Sequence, residues 1–467
     1  MPIIGRKEEQ RELLRLMASE QPEFIMVYGR RRVGKTYLVR ETFKDNLVFY
    51  MTGLNNVELS DQLVNFRAAL ATASGNVDIP APQTWFDAFE QLRTFLQQNN
   101  AAKKVVFLDE VPWMDTKGSK FIPALEHFWN SYASTDPAIK LVVCGSAASW
   151  MVKKIVENHG GLHNRLTYKL KLNPFNVGEV KEFLESKNIY WDYQMVTECY
   201  MVLGGIPYYL NLLTPSLSLA QNIDKLFFSE SALLEGEFRS LYSSLFLHSE
   251  EYISIIKVLA EKKIGFTRDE IIAALSVSDG GGVTRKLTEL EQCGFIRKYK
   301  ALGRVPYLYQ LADFFSLFYF TFLEKGDNYD SETWMHLQNT STHKTWCGLG
   351  FERFCIANAE KIKNILGISG IATKTYSVYS SEAQIDMVIE RGDRVVNLFE
   401  MKYTALPYSL DKKDAESMEN KMLLLQSKLK KKQNIANVLV TTSPIKQNAY
   451  SARWVQRNIT LEEIFSA

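Results

Sequence analysis

The chain has 467 residues, with 55 Lys and Arg against 53 Asp and Glu, a net charge of +2, 46% hydrophobic residues and 23% charged residues. Those values predict a soluble protein of two to four domains; the charge argues neither for nor against nucleic acid, so any basic surface has to be local. Five scattered cysteines (Cys144, Cys199, Cys293, Cys347, Cys355) form no CxxC pair, which argues against a disulfide scaffold or zinc ribbon and suits a reducing cytosol.

The N-terminus, MPIIGRKEEQRELLRL, has no apolar h-region, so no signal peptide is expected and the location reads as cytoplasmic. Over residues 1–175, apolar runs alternate with helical patterns: EFIMVYG (Glu23 to Gly29), NLVFYM (Asn46 to Met51), KVVFLDE (Lys104 to Glu110) and IKLVVCGS (Ile139 to Ser146). They are too apolar for one-sided strands and predict a parallel sheet covered on both faces, an α/β core.

GRRRVGKT, Gly29 to Thr36, fits G-x-x-x-x-G-K-[ST] between an apolar strand and the helical run YLVRETF. This is the context a P-loop requires. Gly29, Arg30, Arg31, Arg32, Val33, Gly34, Lys35, Thr36 and Tyr37 are therefore the expected ATP-binding residues. Lys35 would reach the β- and γ-phosphates, Thr36 would hold Mg²⁺, and the helix N-terminus adds its dipole. KVVFLDE supplies the complement: Asp109 would support Mg²⁺ and Glu110 would polarise the attacking water.

Together, IIGRKEEQREL, GRRRVGKT, FLDEVPW and VVCGSAASWM resemble the archaeal-type ATPases of the STAND branch of AAA+ proteins. The resemblance implies that Ile4, Gly5, Arg6 and Glu9 (with Glu8 a competing match) lie near the adenine. It implies a sensor role for Ser146, a nucleotide-proximal arginine at Arg165, and a lid motif at GGIPYYL, Gly204 to Leu210. For Arg165 the bland alternative is an ordinary surface arginine.

Residues 176–247 read as a helical lid. Over 248–312, helical EEYISIIKVLAEKK, TRDEIIAALS and VTRKLTELEQCG precede two strand-like runs, FIRKYKA and PYLYQLA, the profile of a winged helix. Arg285, Lys286, Arg297, Lys298, Lys300 and Arg304 would offer phosphate contacts to DNA, although Glu289 and Glu291 share the third helix. A winged helix packed inside the protein is the alternative. Residues 313–345 read as a linker opening on FFSLFYFTFL, too short to span a bilayer and better placed as a buried helix.

The last unit, 346–467, contains QIDMVIERGDRVVNLFEMKY, Gln384 to Tyr403, which reads as two strands joined at Gly392. Asp386, Glu400 and Lys402 lie among apolar neighbours, where unpaired burial is costly. Asp386 and Glu400 would bind Mg²⁺ or Mn²⁺ as hard oxygen ligands, and Lys402 would orient a nucleophile or stabilise developing charge. Glu352, on an upstream amphipathic helix, could complete the metal shell or position a lysine. The arrangement resembles the PD-(D/E)XK nuclease superfamily, without the proline before Asp386, and implies a restriction-endonuclease-like α/β domain. A solvated hairpin face is the alternative. The run KLKKK, Lys428 to Lys432, with Lys412, Lys413 and Lys421 before it, could touch phosphate backbone or simply end an exposed helix. His159 and His163 are separated by Gly160 and Gly161, which disfavour a helical metal pair.

The expected whole is an ATPase whose nucleotide state gates a metal-dependent DNA nuclease. The rival is a nucleotide-dependent switch or scaffold whose nuclease-like domain only binds DNA or a partner. A third reading remodels protein partners without nucleic acid. Self-association is left open.

Overall fold

The computed structural model describes residues 2–467 apart from 158–160, 163, 247, 303–306, 325–331, 339, 381–382 and 430–432. His159, His163, Arg304, part of the linker and the Lys430–Lys432 end of the basic run lie outside the described residues. The chain divides into two compact units, Met1–Pro174 and Phe175–Ala467.

In the first unit, β1 (Glu23–Tyr28), β2 (Leu47–Thr52), β3 (Lys104–Asp109), β4 (Ile139–Gly145) and β5 (Tyr168–Lys171) form one sheet in the order β2-β3-β4-β1-β5. Every pairing is parallel. β3 and β4 are buried along their whole length, which explains their unbroken apolar sequence. Phe24, Phe66, Trp85, Phe89, Phe121, Phe128 and Trp129 fill the core on one face. The order sets the site: β4 lies between β1 and β3, so the loops leaving these three strands emerge side by side at one sheet edge.

The second unit begins with helices. Pro207 opens the helix Pro207–Asn211, just after the Gly204–Gly205 turn. Phe314–Phe318 is helical and runs into a π-helical turn, Tyr319–Leu323. Phe318 and Phe322 bury their rings against Trp334 and Trp346, so this apolar run is core. Among the described residues, no helix is long and apolar enough to cross a membrane.

Helices Ser249–Glu261, Arg268–Leu275 and Gly281–Gln292 accompany β6 (Phe266–Thr267), β7 (Ile296–Tyr299), β8 (Ala301–Leu302) and β9 (Leu308–Leu311). A small antiparallel sheet has the order β6-β9-β7. β8 instead joins a larger sheet with β10 (Thr373–Tyr379), β11 (Gln384–Arg391), β12 (Val395–Lys402), β13 (Asn434–Thr441) and β14 (Arg457–Thr460), in the order β14-β13-β12-β11-β10-β8. β10, β11 and β12 are antiparallel neighbours, whereas β12, β13 and β14 run parallel. The helix Lys412–Lys428 bridges β12 to β13 and buries Leu424 and Leu425 against Val388, Val396 and Leu398. The chain is thus a parallel-sheet P-loop NTPase-like fold with helices and a further sheet domain.

Candidate functional sites

The first site is assembled where β1, β4 and β3 end. Gly29 leaves β1 at φ +148°, and a Cβ there would lie 2.3 Å from Leu172 O. Only glycine lets the loop start so close to its neighbour. Arg30 and Val33 are buried, Arg31 and Arg32 half-buried, and Gly34 caps the helix Lys35–Phe43. Tyr37, one turn in, is exposed.

Lys35 is buried, and its ammonium donates at 3.0 Å to Gly29 O, Arg30 O and Ser146 Oγ. Thr36 Oγ1 donates to Asp109 Oδ2 at 2.7 Å, and Asp109 Oδ1 accepts from the Glu110 backbone N–H at 3.0 Å. Burial raises the Asp109 pKa, only partly offset by the Thr36 hydrogen bond. A hydroxyl and a carboxylate side by side are hard oxygen donors, the set that suits Mg²⁺. Glu110 sits at φ +50°, in the left-handed region, which turns its carboxylate to Ser146. Ser146 donates from its backbone N–H to Oε2 at 3.0 Å and from its hydroxyl to Oε1 at 2.5 Å.

Arg6 lies against this loop, and Gly5 before it is buried at φ +64°. Arg6 is buried, donates to Asn173 O at 2.6 Å and Val33 O at 3.4 Å, and pairs with Glu9 at 3.5 Å. Arg165 is exposed on a turn, its backbone N–H bonded to Leu162 O.

The second site lies on the larger sheet. Extending the β11–β12 register by one pair from Met387↔Phe399 sets Asp386 opposite Glu400. Their partners are ammonium groups. Asp386 Oδ2 lies 3.3 Å from Lys263 Nζ, and Oδ1 accepts from Gln384 Nε2 at 2.6 Å. Glu352, on the helix Ser341–Ala357, pairs with the same Lys263 at 2.7 Å. Glu400 is held by Lys421 at 2.5 Å and by Lys402 at 3.2 Å; Lys402 also lies 3.7 Å from Asp414.

These environments separate the carboxyl groups. Burial, then repulsion from Asp386, pushes Glu352 up to about 7 despite Lys263. Burial also acts on Glu400, but Lys421 and Lys402 outweigh it and hold its pKa below the ordinary value. Burial would depress Lys263, yet Asp386 and Glu352 together raise it. Among the described residues, no group of three His, Cys, Asp or Glu side chains is placed to hold a metal ion. Two carboxylates nevertheless converge on one cation, the Lys263 ammonium, so the donor set of Glu352 and Asp386 accepts positive charge.

Lys263 carries no sequence signal of its own; it ends a helical pattern 89 residues before Glu352. Lys421 stood out only as part of a basic run. Of the residues expected to touch DNA, Arg297 is half-buried and donates to Gln310 Oε1, and Lys286 pairs with Glu251. Arg285 lies 3.9 Å from Glu289 on its own helix.

An uncharacterised protein of Methanocaldococcus jannaschii is 26% identical over 208 residues, spanning 44% of this chain and 43% of that protein. The chain therefore matches less than half the length of that relative. Among solved structures, a Walker-type ATPase of Pyrococcus abyssi aligns with a TM-score of 0.49 at 16% identity, covering 68% of this chain and 96% of that one. The ORC2 protein of Aeropyrum pernix, in ADPNP–ADP complexes, aligns with a TM-score of 0.43 at 14% identity, covering 76% and 95%. Residues 4–213 match the model of an ATPase domain found predominantly in Archaea. The chain carries an archaeal-type ATPase domain.

Proposed function

We propose that the protein binds and hydrolyses ATP at the Lys35 site, and that its nucleotide state controls a C-terminal domain of the PD-(D/E)XK nuclease type. The observation that carries the first half is the joined set Thr36–Asp109 and Lys35–Ser146–Glu110. Lys35 would bind the β- and γ-phosphates, with its present carbonyl contacts exchanged for phosphate oxygens. Thr36 and Asp109 would hold Mg²⁺, whose role is to neutralise charge on the β- and γ-oxygens. Glu110 would orient and polarise the attacking water, and Ser146 would report the γ-phosphate to it. The test is phosphate release by Lys35→Ala. Hydrolysis should fall at least about 100-fold, the scale of losing a preorganised charge on the reacting group. Hydrolysis unchanged in a folded variant refutes the assignment.

Three helices with the β6-β9-β7 sheet support a winged-helix reading of 248–312. Glu352 on a helix, with Asp386 and Glu400 on neighbouring strands, supports the nuclease reading of 346–467. Asp386, Glu400 and Glu352 would hold a divalent cation, which would supply the polarisation needed for phosphodiester hydrolysis. Lys402, 3.2 Å from Glu400, would hold the nucleophile or the developing negative charge. The control by nucleotide is drawn from the presence of both parts on one chain.

A second reading has its own observation. Every one of these carboxylates is matched by a lysine, which favours a switch or scaffold whose nuclease-like domain binds DNA or a partner without cutting. Linear, supercoiled and branched DNA incubated with Mg²⁺ or Mn²⁺ separates the two. Cleavage lost in Asp386→Ala or Lys402→Ala supports the nuclease. Binding without cleavage of any substrate supports the switch.

A further inference from the structure

Glu352 and Asp386 share one cation, and the chain itself supplies it. Lys263 occupies the turn between the helix Ser249–Glu261 and β6, and its Nζ lies 2.7 Å from Glu352 and 3.3 Å from Asp386. The turn is shaped to present it. Gly265 sits at φ +85°, and a Cβ there would lie 2.1 Å from Tyr309 O, so a side chain at this position would force the turn off β9. Gln310 Nε2 donates to the Lys263 carbonyl, and Tyr299 OH donates to that of Ile264. Lys263 is thereby fixed to the three-stranded module and not to the sheet that bears the acids.

The module also covers those acids. Arg297, Tyr299 and Gln310 line one wall of a cleft whose other wall includes Glu352, Arg353 and Asp386. Its attachment to the larger sheet includes the short strand β8, with the pairs Ser377↔Ala301 and Val378↔Leu302. Two carboxylates brought together repel each other unless a cation sits between them. Lys263 is the cation placed between them, and Arg297 and Arg353 add positive charge along the cleft; a divalent cation would have to displace the Lys263 ammonium to sit between the two carboxylates. Tethering gives the ammonium a high effective concentration, so it holds the seat until its module moves.

We propose that Lys263 is a tethered competitor for the divalent cation, keeping the Glu352–Asp386 seat filled until the module carrying it withdraws. This rests on the metal-site reading above and names its regulation. The experiment is a Mn²⁺ titration of the full chain without nucleotide, by calorimetry, comparing wild type, Lys263→Met and Lys263→Met with Asp386→Asn. The single variant should bind one Mn²⁺ at least about tenfold more tightly than wild type, a difference of about 1.4 kcal/mol. The double variant should lose that gain. Lys263→Gln, which keeps a hydrogen-bond donor, carries the same expectation if the methionine variant does not fold. A folded single variant with no gain, or a gain that survives Asp386→Asn, overturns the proposal. DNA cleavage is assayed on the same samples. A Mn²⁺ gain without cleavage upholds Lys263 and sinks the nuclease reading. Tight Mn²⁺ binding and cleavage by wild type sink Lys263 and leave the nuclease reading standing.

Discussion

Ser146 holds Glu110 twice, through its backbone N–H at 3.0 Å and its hydroxyl at 2.5 Å. The same hydroxyl accepts from Lys35 at 3.0 Å. Both oxygens of Glu110 are therefore engaged by Ser146, and a γ-phosphate that drew Lys35 or Ser146 to itself would free the carboxylate to meet water. On the proposed reading, the residue that would report the phosphate is the one that restrains Glu110.

This predicts different losses for two variants. Glu110→Gln should keep ATP binding and lower turnover by about 10²–10⁴-fold, the usual contribution of a positioned general base. Ser146→Ala should lower turnover less, by about tenfold, since it removes one hydrogen-bonding group rather than the base. Single-turnover hydrolysis with a parallel nucleotide-binding measurement checks both. A Ser146→Ala loss that adds in full to that of Glu110→Gln in the double variant would show that Ser146 does not act through Glu110.

Gly29→Ala tests the close approach at the start of the phosphate loop. The new Cβ would lie 2.3 Å from Leu172 O at a backbone φ of +148°. The loop and the segment after β5 would have to separate, at a cost of about 3 kcal/mol or more. Urea unfolding of the first unit's transition should show that loss together with weakened nucleotide binding. A wild-type midpoint would mean that the two segments part freely.

Local signals were legible in the sequence, and long-range ones were not. The loop proposed to bind phosphate stands out because Gly29, Lys35 and Thr36 lie within one short stretch, and Asp109 ends a strand whose apolar run reports its burial. The strand from Asn46 shows a small slip, observed as Leu47–Thr52, since pairing with β3 and not composition decides its ends. The C-terminal acids were visible for the same reason: buried charges interrupt apolar strands. Their counter-charges were hidden. Lys421 faces Glu400 across the β12–helix crossover, and Lys263 reaches Glu352 from another module. Either lysine alone reads as a solvated helix residue. The third helix, expected from Val283, starts two residues earlier at Gly281; both glycines are exposed, and a helix end shifts by a residue or two without any packing to fix it.

Stability should depend on pH through Glu352. Its folded pKa is raised from 4.5 to about 7, so the folded state binds more protons than the unfolded one between those values. Its contribution is therefore most favourable below about pH 4.5 and is lost as pH rises toward 7. The difference in unfolding free energy between Glu352→Gln and wild type, in chelator, should move in favour of the variant by the order of 2–3 kcal/mol from pH 4.5 to 8. A difference independent of pH would show that Lys263 keeps Glu352 ionised throughout.

The pairing of β8 with β10 bears on how the chain is made. β10 carries Thr373, Thr375, Tyr376 and Val378, residues suited to strands, and one border of its sheet is finished by the two residues of β8. That cover is synthesised some 70 residues before the strand it protects. A fragment beginning after residue 312 would expose that border of β10, with its unpaired backbone amides and carbonyls, to any second copy. The short strand thus acts as a built-in guard against self-assembly of the domain that follows it.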